Sequence, residues 1–271
     1  MNIEKGDFVT RKSYNHDTIF KVLSISEDTV YLKGVYDRLY ADSDIFDLVK
    51  TNEQPDDFII DLDITDDRTS YFYLPGKVLH IDGDNEYLEK CLKFYKSNKV
   101  YAIGKKIEEV EISKQLPTLL KKIKPDILVI TGHDAFYSKK GNKNDINSYK
   151  NSKNFVKAII QARNYEKNHE KLVIIAGACQ SAYETLIKAG ANFASSPKRV
   201  NIHALDPAII ATTIALTKTD TQINVPNLLE KTKYGANGMG GIITNGLMYV
   251  GYPRWIWILL KKKYLPQEEE K

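Results

Sequence analysis

From residue 77 onward, short apolar runs alternate with amphipathic segments, and this alternation restricts the fold more than any other feature of the chain. The strand-like runs are KVLHIDGD (77–84), VYAIG (100–104), DILVITGHD (126–134) and LVIIAGAC (172–179). Helical patterns with one apolar face lie between and after them, at 86–97, 111–124, 151–167 and 181–190. This order of elements predicts an α/β domain with a doubly wound, mostly parallel sheet covered by helices on both faces.

The first fifty residues have a different pattern, in which short runs rich in β-branched and aromatic residues alternate with polar turns. The runs are GDFVTR, TIFKVLSI, DTVYLKGV, RLYAD and IFDLVK. Closely spaced strands of this kind predict a small β barrel, of the SH3-like type, over 1–50. A docking module for a partner protein or nucleic acid and a structural cap on the second domain fit this pattern equally well.

An acidic segment separates the two patterns. TNEQPDDFIIDLDITDDRTSYFYLPG (51–76) is rich in Asp, contains two prolines and shows no helical period, which predicts an exposed linker. The predicted organisation is therefore a barrel at 1–50, a linker at 51–76 and an α/β domain at 77–271.

Composition argues against several classes of protein. The 39 Lys and Arg residues nearly balance the 35 Asp and Glu residues, so the net charge of +4 gives no electrostatic case for nucleic-acid binding. The first residues, MNIEKGDFVTRK, lack the apolar core of a signal peptide. The late apolar run WIWILL (255–260) is too short to span a membrane. Two widely spaced cysteines predict neither a disulfide framework nor a zinc site. We expect a cytoplasmic protein without a metal or cofactor.

Two chemically versatile residues follow successive strands of the predicted sheet. His133 comes at the end of DILVITGHD, and Cys179 at the end of LVIIAGAC. Sites in such sheets form at the carboxyl ends of the strands, and strands that are consecutive in sequence are favoured neighbours. The sequence therefore predicts a dyad at one edge of the sheet, with Cys179 as nucleophile and His133 as base.

The residues around Cys179 favour a reactive thiol. Ser181 and Glu184 have the spacing of a capping box, which predicts a helix N-terminus just after the cysteine and an exposed thiol with a lowered pKa. The backbone N–H groups of Cys179 and Asp134 are candidate oxyanion donors. The competing interpretation is a packing cysteine, because free Cys is among the most buried residue types. Cys91, on the apolar face of a helix, is assigned to the core.

Several motifs taken together resemble one peptidase family. A strand followed by His and a next strand followed by Ala-Cys is similar to the caspase-like clan of cysteine peptidases. The chain also resembles the YabG family of sporulation-specific cysteine peptidases in KGDFVTRKSY, KVLHIDGD, DILVITGHDA, YKNSKNFVKA, AGACQSAYE, AGANFASSPKRVNIHALDP and GMGGIITNG. The resemblance implies a caspase-like fold, Cys179 as nucleophile and His133 as base. It also implies a protease of the sporulating cell that processes spore coat and related proteins.

The same resemblance bears on substrate binding, because several members of the clan cut after arginine by means of an acidic pocket residue. Asp82, Asp84 and Asp206 each follow a strand-like run, and a carboxylate can bind guanidinium in bidentate geometry. Asp82 is the preferred candidate, and Ser195 is a candidate for lining the pocket. Turn formation at Asp82 and Asp84, and a helix N-cap at Asp206 before Pro207, explain these residues as well.

Two other classes of function remain open from the sequence. A cysteine amidase or amidotransferase also places its cysteine between a strand and a helix, but its histidine follows the cysteine, which would make His203 the base. A non-catalytic coat scaffold would bind through the N-terminal barrel. Many clan members have Gly directly after the histidine, whereas here Gly132 precedes His133. This departure leaves the second oxyanion donor open.

A protease that cuts after arginine could also cleave the linker of its own chain. Arg68, in DDRTS, is the arginine of the acidic segment, and exposed interdomain segments are the usual sites of nicking. The sequence therefore predicts self-cleavage after Arg68. Asp66 and Asp67 argue against it, because carboxylates near the pocket would repel them.

Overall fold

The structure is a computed structural model that describes residues 3–51, 71–137, 139 and 141–252. This part of the chain forms an N-terminal antiparallel sheet and a larger, mostly parallel sheet with helices on both faces. None of the helices described is long and apolar enough to cross a membrane. Arg68 and the run 255–260 lie outside the described residues, and what was predicted for them stays a prediction.

The N-terminal sheet has five antiparallel strands in the order β4-β3-β2-β1-β5. They are β1 (Phe8–Arg11), β2 (Phe20–Ser26), β3 (Thr29–Gly34), β4 (Tyr40–Asp44) and β5 (Leu48–Lys50). Alternate side chains form a small core, because successive residues of a strand point to opposite faces. The short strands predicted here are confirmed, and their closure into an SH3-like barrel stays a prediction.

The main sheet has six strands in the order β12-β11-β10-β9-β7-β8. They are β7 (Val78–Asp82), β8 (Ala102–Lys106), β9 (Ile127–Thr131), β10 (Val173–Ala176), β11 (Phe193–Ser195) and β12 (Met239–Gly241). All neighbours are parallel except β12, which pairs antiparallel with β11 at the edge. Two further short strands, β6 (Phe72–Leu74) and β13 (Tyr249–Gly251), pair with each other.

Helices cover both faces of this sheet. They are α1 (Asn85–Ser97), α2 (Glu109–Ile123), α3 (Ser152–Tyr165), α4 (Tyr183–Lys188), α5 (Asp206–Leu216), α6 (Val225–Glu230) and α7 (Gly235–Gly238). Helices α1 and α5 share one core with alternate residues of the strands, and α2 and α3 share the other. The sequence prediction of a mostly parallel α/β sheet between two helical layers is confirmed.

Candidate active site

The ends of β9 and β10 lie side by side, as the order of the strands in the sequence suggested. Ile130 is in register with Ala176, and the N–H of Gly177 donates to the carbonyl of Ile130 at 3.0 Å. His133 and Cys179 follow these strands directly, so both leave the sheet at the same side. We call this side, where the parallel strands end, the strand-end edge.

Cys179 is fully buried at this edge. Its Sγ accepts the N–H of Ile202 at 3.3 Å and lies 3.8 Å from the carbonyl oxygen of the same residue. Burial raises the pKa of the Cys179 thiol to about 12, against the opposing effect of the Ile202 N–H. The prediction of an exposed thiol with a lowered pKa is therefore wrong for this structure, because other parts of the chain exclude water from the sulfur.

The predicted capping box after Cys179 is also wrong. Helix α4 begins at Tyr183, its N-cap is Ala182, and no side chain caps it. The hydroxyl of Ser181 turns back instead, accepting the N–H of Ala178 at 3.0 Å and donating to Asp134 at 2.9 Å. Ser181 therefore fixes the loop that carries Cys179, and a helix of six residues gives little dipole for a thiolate.

The two backbone groups predicted as oxyanion donors have no hydrogen-bond partner in the part of the chain that the structure describes. Within the described residues, neither the N–H of Cys179 nor that of Asp134 donates a hydrogen bond. The Asp134 carboxylate, in contrast, is occupied: it accepts the N–H of Asn151 at 2.7 Å and the hydroxyls of Ser152 and Ser181. Asp134 thus ties together the loops around the edge and leaves its own N–H available.

His133 is oriented by Asp84, a residue to which sequence analysis assigned a different role. Its Nε2 lies 3.3 Å from Oδ2 of Asp84, and the ring packs edge-on against Tyr40 at a centroid distance of 4.3 Å. Its Nδ1 is buried without a hydrogen-bond partner among the described residues. In the described structure His133 and Cys179 form no hydrogen bond with each other. The ring nitrogen left without a partner is thus available to a group that enters the site.

Glu109 fixes the backbone of the same histidine, and the sequence analysis missed it. Its Oε1 accepts the N–H of His133 at 2.7 Å. The carboxylate fits between two glycines, because a Cβ at Gly83 or Gly132 would lie 2.4 or 2.3 Å from that oxygen. The signal that could have revealed this contact is the pair of glycines that end two neighbouring strands.

Asp84 is the N-cap of α1. Its side chain accepts the N–H groups of Glu86 and Tyr87. It also receives Lys33 at 2.9 Å and the hydroxyl of Tyr40 at 3.0 Å, both from the N-terminal sheet. Burial favours the neutral acid, but these donors and His133 hold the pKa of Asp84 well below its usual range. Asp84 is therefore a charged residue whose carboxylate oxygens already have partners in α1, in the N-terminal sheet and in His133.

Asp82, the preferred candidate for binding a substrate arginine, already pairs with an arginine of this chain. Its carboxylate forms an ion pair with Arg38 and accepts the hydroxyl of Thr131 at 2.7 Å. All three side chains are fully buried. Burial opposes ionisation of Asp82, but the Arg38 guanidinium and His80 hold its pKa well below the usual range.

The remaining candidates have structural contacts. Asp206 is the first residue of α5, one position after the N-cap, and accepts the N–H groups of His203 at 2.9 Å and Lys233 at 3.0 Å. Ser195 donates to the carbonyl of Ala178 at 2.8 Å. Burial raises the pKa of Asp206 to about 6. It lowers the pKa of His203 to about 3, which makes His203 a poor base at neutral pH.

Comparisons with known proteins agree on one peptidase family. A family model described as YabG peptidase U57 matches residues 4–59 and 60–253. A protein of Bacillus subtilis (strain 168), the sporulation-specific protease YabG, is 42% identical over 286 residues, which cover 93% of this chain and 99% of that protein. No solved structure matches.

Proposed function

This chain belongs to the YabG peptidase family, and from that premise we propose that it is a sporulation-specific cysteine endopeptidase with a Cys179–His133 dyad. The observation that carries the proposal is the pairing of β9 with β10, which brings these two residues to the same edge of the sheet. We expect its substrates to be spore coat and related proteins, and its place of action to be the cytoplasm of the sporulating cell and the spore coat.

The proposed reaction is acyl transfer through a thioester. His133 removes the proton from Cys179, and Sγ attacks the carbonyl carbon of the scissile peptide bond. The free N–H of Cys179, with that of Asp134 as a second donor, stabilises the negative charge on the carbonyl oxygen. His133 then donates the proton to the leaving amine, and water hydrolyses the thioester to release the acid and restore the thiol.

Two residues hold His133 for this role. Asp84 bonds one ring nitrogen, at 3.3 Å, which leaves the other nitrogen for the thiol or the leaving amine. Glu109 holds the backbone N–H of the same residue at 2.7 Å. A base that is positioned by a carboxylate needs less reorganisation during proton transfer, as in the triads of other hydrolases.

Cleavage after arginine is part of the proposal, with Asp82 as the pocket residue. A buried carboxylate at the strand-end edge binds a guanidinium in the described structure, which is the contact that a substrate arginine would need. Threonine 131 supports the carboxylate from the neighbouring strand, since its hydroxyl donates to Asp82. The finer fold assignments, a caspase-like peptidase domain behind an SH3-like barrel, belong to the same proposal.

The test is cleavage of purified coat proteins, read by mass spectrometry. We expect the wild-type chain to generate new termini that follow arginine, and Cys179→Ala and His133→Ala to generate none. His169→Ala is the matched control, because His169 lies in a partly exposed loop and contacts Arg163, away from the strand-end edge. Cleavage that persists in Cys179→Ala would rule out this nucleophile, and cleavage after other residues would rule out the arginine pocket.

A further inference from the structure

The turn between β3 and β4 reaches into the strand-end edge. We call residues 35–39 the hairpin tip. Its backbone pairs with residues 202–204: the N–H of Arg38 donates to the carbonyl of Ile202 at 3.2 Å, and the N–H of Ala204 donates to that of Tyr36 at 2.8 Å. Asp37 and His203 form an antiparallel bridge between these two bonds. The tip is therefore a bent turn that pairs with residues 202–204 through one antiparallel bridge.

The side chain of Arg38 reaches the carboxyl end of β7 in the main sheet, where Asp82 lies. It is fully buried, forms the ion pair with Asp82, and donates from Nη2 to the carbonyl of Ala204 at 2.9 Å. The same nitrogen lies 3.5 Å from the sulfur of Cys91. A guanidinium of the N-terminal sheet thus occupies the acidic pocket that would receive a substrate arginine.

The backbone of the tip lies against the proposed nucleophile. The Sγ of Cys179 contacts both backbone groups of Ile202, the residue whose carbonyl receives the N–H of Arg38. Asp37 and Arg38 are close enough to influence the pKa of the thiol in opposite directions, although burial dominates it. With the tip in place, Cys179 is fully buried and no peptide can reach it.

Two of these contacts are ones that a bound substrate would make: an antiparallel backbone pairing and an arginine side chain on a buried carboxylate. A protease holds an extended peptide by antiparallel backbone bonds along an edge and selects it through one side chain in a pocket. We propose that the hairpin tip is an internal pseudosubstrate, which keeps the enzyme latent until it leaves the cleft. This inference rests on the proposed function, since it assigns residues 202–204 and Asp82 to substrate binding.

Other contacts hold the tip in position. Tyr87, on α1, donates its hydroxyl to the carbonyls of Gly34 at 2.7 Å and Asp37 at 2.9 Å. Lys233 donates to the Asp37 carboxylate at 2.8 Å, and Thr18 donates to the same group. The tip is thus secured on both sides, and its removal would expose the pocket and the thiol together.

Arg11 provides the contrast within the same sheet. Like Arg38 it is buried, but its guanidinium stacks on the rings of Tyr14 and Phe20, at 3.8 and 4.8 Å from their centroids. It therefore serves packing inside the N-terminal sheet. Arg11→Ala is the matched control for Arg38→Ala, because both remove a buried arginine from the sheet and only one of them empties the cleft.

The first test compares these two variants in the full chain. The measurements are kcat/KM for a fluorogenic peptide with a single arginine and the rate at which iodoacetamide labels Cys179. If the cleft is open only part of the time, both measured rates equal the intrinsic rate multiplied by the open fraction, so Arg38→Ala should raise both by roughly tenfold or more. Arg11→Ala should change neither by more than about twofold. Thermal unfolding establishes that both variants are folded.

The outcomes separate this inference from the proposed function. Faster labelling of Cys179 without any cleavage would support the occlusion and count against the protease. Equal, Cys179-dependent cleavage by the wild type and Arg38→Ala would overturn the occlusion and leave the protease standing. Unchanged labelling in a folded Arg38→Ala variant would also overturn it.

A second measurement needs no variant, which matters because Arg38→Ala leaves Asp82 buried without its cation. Wild-type protein is reacted with a peptidyl-arginine chloromethyl ketone until Cys179 is modified, and amide hydrogen exchange is followed at residues 35–39. The inhibitor must displace the tip, so exchange there should accelerate by roughly tenfold or more, while β1 exchanges as before. Modified Cys179 with unchanged exchange at 35–39 would overturn the proposal.

Discussion

Cys179 and Cys91 are alike in burial, in thiol pKa and in the backbone segment that their sulfurs contact. Both cysteines are fully buried, and burial raises the pKa of both thiols to about 12. Both sulfurs also contact the same backbone segment: Cys91 donates to the carbonyl of Ala204 at 3.3 Å, and Cys179 contacts Ile202. Neither burial nor pKa therefore separates the proposed nucleophile from a packing residue in this protein.

The two cysteines differ in what surrounds them. Cys91 lies in the middle of α1, on the apolar face that packs on the sheet, and its sulfur also lies 3.5 Å from the Arg38 guanidinium. Cys179 follows β10, its own N–H has no partner among the described residues, and His133 follows the neighbouring strand. Position at the ends of parallel strands is what favours Cys179 as the proposed nucleophile, while burial reflects which segments cover each sulfur.

The largest expected difference between the two regions is in activity. Cys179→Ala should lower kcat/KM by about a thousandfold or more, because it removes the group that forms the thioester. Cys91→Ala should keep kcat/KM within about threefold and lower the free energy of unfolding by about 1 kcal/mol through lost packing. Peptide hydrolysis and urea unfolding of both variants provide the measurements. Loss of activity in a folded Cys91→Ala variant would break the distinction.

The next effect concerns the positioning of His133. Asp84→Asn should keep the N-cap of α1, since Asn caps as well as Asp, but it removes the charge beside the ring. Measured in the Arg38→Ala background, kcat should fall by about a hundredfold with little change in KM. Asp126→Asn is the control, because Asp126 binds the N–H of Lys77 at the opposite edge of the sheet. Equal effects of the two substitutions would refute a positioning role.

Thiol labelling compares the two cysteines directly. At neutral pH we expect iodoacetamide to label Cys179 about tenfold faster than Cys91, since Cys91 stays packed between α1 and the sheet after the hairpin tip has moved. The pH dependence of the labelling rate shows whether the thiol reacts in an opened state or in the closed protein. Reaction through an opened state should level off above the ordinary thiol pKa of about 8.5, whereas reaction of the closed thiol should keep rising toward about 12. Equal rates in the folded protein would remove the distinction.

The smallest expected effect is that of a single contact of the N-terminal sheet. Tyr40→Phe removes the hydroxyl that donates to Asp84 at 3.0 Å. This loss should weaken the binding of the β3–β4 hairpin to the main domain. Labelling of Cys179 should accelerate by about threefold, the size of one partly exposed hydrogen bond, with Cys91 unchanged. Tyr31→Phe, an exposed tyrosine of the same sheet, is the control. Slower labelling in Tyr40→Phe would contradict the occluding role of the hairpin.

Much of the fold and part of the site could be predicted from local pattern. Mostly apolar runs predicted the parallel strands β7, β9 and β10, because a strand buried on both faces carries few polar residues. His80 and Asp82 are the buried polar exceptions in β7. Assignment of Cys91 to a helix core was confirmed in the same way. The helix start after Cys179 was wrong, since Ser181 bonds to Asp134, a partner distant in sequence that no capping pattern reveals.

The sequence by itself determined the alternation of strands and helices, and with it the placement of His133 and Cys179 at the ends of neighbouring strands. Only the tertiary structure decided that Asp84 contacts His133, that Arg38 pairs with Asp82, and that Cys179 is buried. The physical reason is the distance along the chain over which each kind of information acts. Periodicity reports the burial of a residue relative to its own element, whereas these contacts join residues far apart in the chain and depend on how the N-terminal sheet docks.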